Sequence, residues 1–77
     1  MQDKILECIV KATNRDELKE MKHDDSFESH DIDSLDRMSI MVEVEGMFDV
    51  ELEDIEPGTV GSINDYVELV ASRKKSS

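Results

Sequence analysis

Asp33-Ser34-Leu35-Asp36-Arg37-Met38-Ser39-Ile40-Met41-Val42-Glu43-Val44-Glu45-Gly46-Met47-Phe48 is the stretch where two periodicities compete and one wins. Met41-Val42-Glu43-Val44 alternates as a strand would. The wider pattern is helical: Ile40, Val44 and Phe48 recur at i, i+4 and i+8, and Met41 and Met47 widen that row. Leu35, Met38 and Val42 form a second row at i, i+3 and i+7. One apolar row is enough to face a core; two leave little of the helix polar. Asp33 and Ser34 are both good N-terminal capping residues, and Asp36 adds negative charge to the first turn. The spacing therefore predicts a helix from Asp33 or Ser34 to about Phe48.

Working outward toward the N-terminus, Lys22 to Asp33 reads as a loop, dominated by His, Asp, Ser and Glu. Phe27 and Ile32 are its large apolar residues and should tie it to the core. Its twelve residues put it near the length at which loops become functional or disordered. Before it, Ile5, Leu6, Ile9 and Val10 make one apolar face of a helix from about Asp3 to Thr13, with Asn14 as its stop. Arg15 to Met21 has room for one more turn, with Leu18 and Met21 on the same side. Toward the C-terminus, Asp49 to Glu56 is a connection anchored by Val50, Leu52 and Ile55. Pro57-Gly58 is a turn signal, and Thr59-Val60 adds a short turn. The last helix should run from Ser62 to Arg73, capped by Ser62 with Asp65 three residues on, and with Ile63, Tyr66, Val67 and Val70 facing inward. The basic tail Arg73-Lys74-Lys75-Ser76-Ser77 should fray. The expected fold is all-α: a small four-helix bundle of three main helices and one short one. A single domain fills residues 1–77, with its core over about 3–72.

A chain of 77 residues builds one domain with a modest core, too small for a deep substrate pocket of its own. Twenty acidic against nine basic residues give a formal net charge of -11. Nucleic acid and anionic membrane need a basic footprint, so neither is an expected partner. Basic protein surfaces are attracted instead, and the same charge favours a soluble monomer. Cys8 is the single cysteine and lies in an apolar run, as a core thiol does. No long apolar stretch follows Met1-Gln2-Asp3-Lys4, and no run approaches membrane-spanning length. The expectation is a protein without a signal peptide in a reducing cytoplasm or an equivalent organelle interior.

The most informative local feature is Asp33-Ser34-Leu35-Asp36. A serine at the mouth of a helix sits beside free amides and positive partial charge, which suits a phosphate on its hydroxyl. Taken alone, the commoner reading is an ordinary cap. A catalytic serine would need a base and an oxyanion hole. The chain offers only His23 and His30, in the loop, and no Gly-x-Ser-x-Gly elbow. A calcium loop fails in both registers: from Asp31, Leu35 and Val42 fall on ligand positions, and from Asp24, Ser29 replaces the required glycine and Leu35 the glutamate. No Cys/His cluster has zinc spacing. No metal site is expected.

With these residues in place, the chain resembles the acyl and peptidyl carrier protein family, whose signature is an Asp-Ser-Leu triplet at the start of the second helix. Here the triplet is Asp33-Ser34-Leu35, within Asp31-Ile32-Asp33-Ser34-Leu35-Asp36. Phe27-Glu28-Ser29 leads in at the family's usual spacing, and Phe48-Asp49-Val50-Glu51-Leu52 closes the helix as the family's Phe-x-Val-x-Leu-like segment does. The resemblance covers residues 3 to 72. It implies that Ser34, flanked by Asp33 and Leu35, receives a 4'-phosphopantetheine arm from coenzyme A through a phosphopantetheinyl transferase, which binds the magnesium. It implies a discrete, non-catalytic carrier of acyl or aminoacyl thioesters. Its partners would be a loading enzyme and a downstream synthase or transferase. It also implies that Ile40, Val44 and Phe48 face the bundle, while Leu35, Met38 and Val42, flanked by Asp36, Glu43 and Glu45, face partner enzymes. Two positions depart from the family pattern. Asp31 stands where glycine is common and His30 where leucine is common, which marks a specialised member.

Two readings compete with a loaded carrier. One is a carrier-like interaction subunit that docks through its acidic second helix without the arm. The other is an acidic adaptor phosphorylated on Ser34.

Overall fold

A computed structural model describes residues 2–74, which run through three α-helices: α1 (Gln2–Thr13), α2 (Ser34–Phe48) and α3 (Ile63–Lys74). Three short 3₁₀ turns, Asp16–Glu20, Glu28–His30 and Pro57–Thr59, punctuate the connections. The short helix expected between the second and last helices is the Pro57–Thr59 turn. Proline supplies the first φ there, and Val60 closes the turn onto the Pro57 carbonyl. The part of the basic tail at Lys75–Ser77 lies outside the described residues.

Each helix buries the centre of the face its period marks, with Leu6 and Val10 of α1 and Val67 of α3 half-buried at its edge and Cys8 buried in addition. Ile5, Cys8 and Ile9 of α1 meet Ile40, Met41, Val44 and Phe48 of α2, and Ile63, Tyr66 and Val70 of α3 complete the interior. The connections contribute as well. Leu18, Met21, Phe27, Ile32, Val50, Leu52 and Val60 are all buried, so the chain between helices is tied down by side chains of its own. The Tyr66 ring packs beside Phe27 with centroids 6.0 Å apart. Its buried hydroxyl has no hydrogen-bond partner among the described residues, and burial raises the phenol above its ordinary value.

Met47 departs from expectation. It is 44% exposed rather than part of the inward row, because its place on the helix carries it past the edge of the α1–α2 seam. There its sulfur meets the Cys8 thiol at 3.6 Å.

The helix ends are set by polar side chains and left-handed residues. Asn14, Asp31 and Asp49 are the three non-glycine residues with positive φ among those described, at 56°, 57° and 54°. Asn and Asp tolerate this region better than most side chains. Asn14 ends α1 by donating to the Val10 carbonyl at 2.8 Å, and Asp49 ends α2. At the start of α3, Ser62 Oγ accepts from the Asp65 amide at 3.3 Å, while Asp65 reaches back to the Gly61 amide at 3.0 Å. This is the reciprocal logic of a capping box, displaced by one residue.

Candidate functional site

The loop from Lys22 to Asp33 is held from three sides before it delivers the chain to α2. Against α3, the Phe27 amide donates to the Gly61 carbonyl at 2.8 Å, the Asn64 amide donates to the His23 carbonyl at 3.1 Å, and Ser26 and Ser62 form an isolated antiparallel bridge. Inside the loop, His30 Nε2 lies 3.1 Å from Asp25 Oδ2. This hydrogen bond from His30, helped by the Lys22 amide, holds the Asp25 carboxyl below its ordinary range. On the outer side, arginines take the loop's carbonyls. Arg15 donates to those of His30 (2.8 Å) and Asp31 (3.3 Å), and Arg37 donates to that of Ile32 (3.0 Å).

Asp31 adopts the left-handed conformation, with φ 57° and ψ 39°, so the backbone geometry that glycine would supply is kept by an aspartate. His30 does not serve as an apolar anchor. Its ring is half-buried and turned to Asp25. Ile32, fully buried, then pins the chain just before the helix.

At the helix mouth the two capping candidates part ways. Asp33 is the cap: its backbone is extended and its Oδ1 accepts from the Asp36 amide at 2.9 Å. Ser34 is the first helical residue. It is exposed, and its hydroxyl has no hydrogen bond among the described residues. The reading of Ser34 as an ordinary cap is thereby corrected, because Asp33 takes that task. Helix geometry leaves the first amides of α2 without intrahelical partners, and they supply positive partial charge beside the Ser34 hydroxyl. An uncommitted, exposed hydroxyl next to such amides fits a phosphodiester linkage. The surrounding carboxylates of Asp31, Asp33 and Asp36 fit a basic partner surface.

Along α2, the second apolar row lies open. Leu35 is 74% exposed, Met38 54% and Val42 65%. Of the acidic residues on this helix, Asp36 is half-buried with its carboxylate outside any hydrogen bond among the described residues. Glu43 is turned toward α1 and lies 3.6 Å from Lys11 Nζ. Glu45 is committed elsewhere: its Oε2 accepts from the Leu52 amide at 2.7 Å and ties the connection after α2 to the helix. Sequence spacing gave no sign of this, since a helix carboxylate and a loop amide seven residues apart show no pattern. Arg15 and Arg37 carry no motif either. Among the described residues, no group of three or more His, Cys, Asp or Glu side chains is arranged to hold a metal ion. No described helix is long and apolar enough to cross a membrane.

Residues 3–70 match the family described as "Phosphopantetheine attachment site". The chain is 37% identical over 67 residues to an acyl carrier protein of Streptococcus thermophilus (strain CNRZ 1066), covering 86% of this chain and 89% of that one. It is 36% identical, over the same shares, to the acyl carrier proteins of Streptococcus pyogenes serotypes M3 and M1. No solved structure matches. A three-helix domain with an exposed serine at the mouth of its second helix, matched by that family over nearly its whole length, belongs to the phosphopantetheine-binding carrier family: it is a non-catalytic carrier whose prosthetic group is 4'-phosphopantetheine.

Proposed function

We propose that this chain is a discrete carrier of acyl or aminoacyl intermediates, loaded on Ser34. The observation that carries the reading is the division of labour at the helix mouth: Asp33 satisfies the Asp36 amide, and the Ser34 hydroxyl is left exposed and uncommitted. On transfer, the Ser34 oxygen forms the new bond to phosphorus. Its proton passes to a base of the transferase, and the bond between that phosphorus and the nucleotide part of coenzyme A breaks. The prosthetic group supplies a terminal thiol that holds cargo as a thioester. The chain's own residues do the rest. The first amides of α2 favour the phosphate, the acidic mouth attracts a basic enzyme, and the row of Leu35, Met38 and Val42 offers apolar contact once a partner has docked. The names of the relatives favour an acyl cargo over an aminoacyl one. A monomer in the cytoplasm suits this role.

Steady-state loading tests both halves of the proposal. The chain is incubated with coenzyme A and a broad-specificity phosphopantetheinyl transferase. The wild type gains the mass of one phosphopantetheinyl group and Ser34→Ala gains none. Asp36→Lys and Leu35→Ala load with a KM raised about tenfold, the scale of losing one productive contact, and Glu45 is left untouched because it holds the fold. Failure of the wild type to load beside a control carrier that does would sink the carrier reading. Unchanged kinetics in both α2 variants would sink the docking half alone.

A further inference from the structure

Three consecutive backbone carbonyls, those of His30, Asp31 and Ile32, accept hydrogen bonds from arginine side chains. They are the last carbonyls before the capping Asp33. The donors come from opposite sides: Arg15 follows α1, and Arg37 lies in the first turns of α2. Arg15 is itself oriented by Glu17, whose Oε2 accepts from Nε at 3.0 Å, leaving the two terminal nitrogens for the carbonyls of His30 and Asp31. Arg37 spans from the Ile32 carbonyl to that of Gly58, 3.5 Å away in the Pro57–Thr59 turn.

The commitment is costly for this composition. Nine basic residues serve a chain of net charge -11, yet both terminal nitrogens of Arg15, and Nε and one terminal nitrogen of Arg37, are placed on backbone oxygens. The planar, forked guanidinium can hold two neighbouring carbonyls at once, which an ammonium cannot do with the same geometry. The segment needs such support. Asp31 sits in a left-handed conformation that costs an L-residue free energy, and His30, exposed in part, contributes no apolar anchor.

We propose that Arg15 and Arg37 form a clamp that fixes the turn 30–32 and so sets the direction in which Ser34 is presented to the transferase. They are positioning residues, since neither is required to touch the reacting atoms. The inference rests on Ser34 as the loading site, but the clamp itself has a separate readout. The amides of His30, Asp31 and Ile32 donate to the Phe27 and Glu28 carbonyls inside the same turn, so their hydrogen exchange reports its opening.

The test compares wild type, Arg15→Ala, Arg15→Lys and Arg37→Ala at a temperature where circular dichroism shows all four folded. Exchange at the amides of residues 30–32 should speed up about tenfold or more in Arg15→Ala, while Ile9, Val44 and Val70 keep wild-type protection. Loading of Arg15→Ala should lose kcat about tenfold with KM nearly unchanged, the signature of misplacement rather than weaker docking. Arg15→Lys should recover part of that loss. Arg37→Ala should open the same amides. Wild-type exchange at residues 30–32 in both alanine variants would overturn the clamp whether or not the chain loads. Opened amides with unchanged kcat would overturn its role in presentation. A wild type that fails to load would overturn the carrier reading and leave the exchange result to decide the clamp.

Discussion

Asp33 and Ser34 are both residues that cap helices, and their order in the chain separates their tasks. The residue with extended backbone takes the amide of Asp36, and the next one enters the helix with its hydroxyl free. Composition could not separate them, because either is a good cap. At the same scale, Cys8 shows what burial does to an ionisable group. Burial pushes its thiol from 9.0 up to about 11, the Glu43 and Glu7 carboxylates push the same way, and Lys11 opposes them. The folded state thus holds the proton more tightly than the unfolded one. The resulting stability is fully present below pH 9 and is lost as pH rises through 9 toward 11, by about 2–3 kcal/mol in all. The buried Tyr66 phenol, also raised by burial, acts in the same direction above its ordinary value. Urea unfolding across pH 7–11 checks this. Cys8→Ala should be less stable at pH 7, because it leaves a small cavity, and should lose less stability than the wild type as pH rises from 9 to 11. An alkaline slope equal to that of the wild type would rule out Cys8 as its source.

At the scale of elements, α2 carries two apolar rows with opposite fates. Ile40, Val44 and Phe48 are buried, while Leu35, Met38 and Val42 are open. Ile40→Ala should cost about 2–5 kcal/mol of stability, a core truncation with a cavity term. Leu35→Ala should change stability by less than about 0.5 kcal/mol, as exposed substitutions do. Paired thermal melts decide it, and a comparable loss from Leu35→Ala would mean that the second row is covered in solution. Helical spacing marked both rows in the sequence, and the resemblance to the carrier family, not the spacing, implied which of them faces inward. The fate of Met47 was not, since a residue at the margin of a face is assigned by the packing angle of the neighbouring helix and not by its spacing. Glu45 was illegible for another reason. Its carboxylate serves a backbone amide beyond the end of the helix, and such a bond depends on how the chain turns at Asp49.

The whole molecule is a set of three helices whose connections bury side chains of their own. Helix positions, the anchors Phe27 and Ile32, and the end of α1 at Asn14 could all be read from period and turn chemistry. The bonds from the loop to the start of α3 and the arginines on carbonyls 30–32 could not, because they join residues 5 to 41 positions apart through backbone groups that every residue carries. What those connections achieve is a fixed, exposed serine on a strongly acidic domain. Peptide mapping by mass of the protein purified from its own cells tests that most directly. Phosphopantetheine is expected on the peptide that contains Ser34, bearing a cargo released by hydroxylamine as a thioester is. A Ser34 peptide without the arm, in cells whose other carriers are loaded, would contradict it.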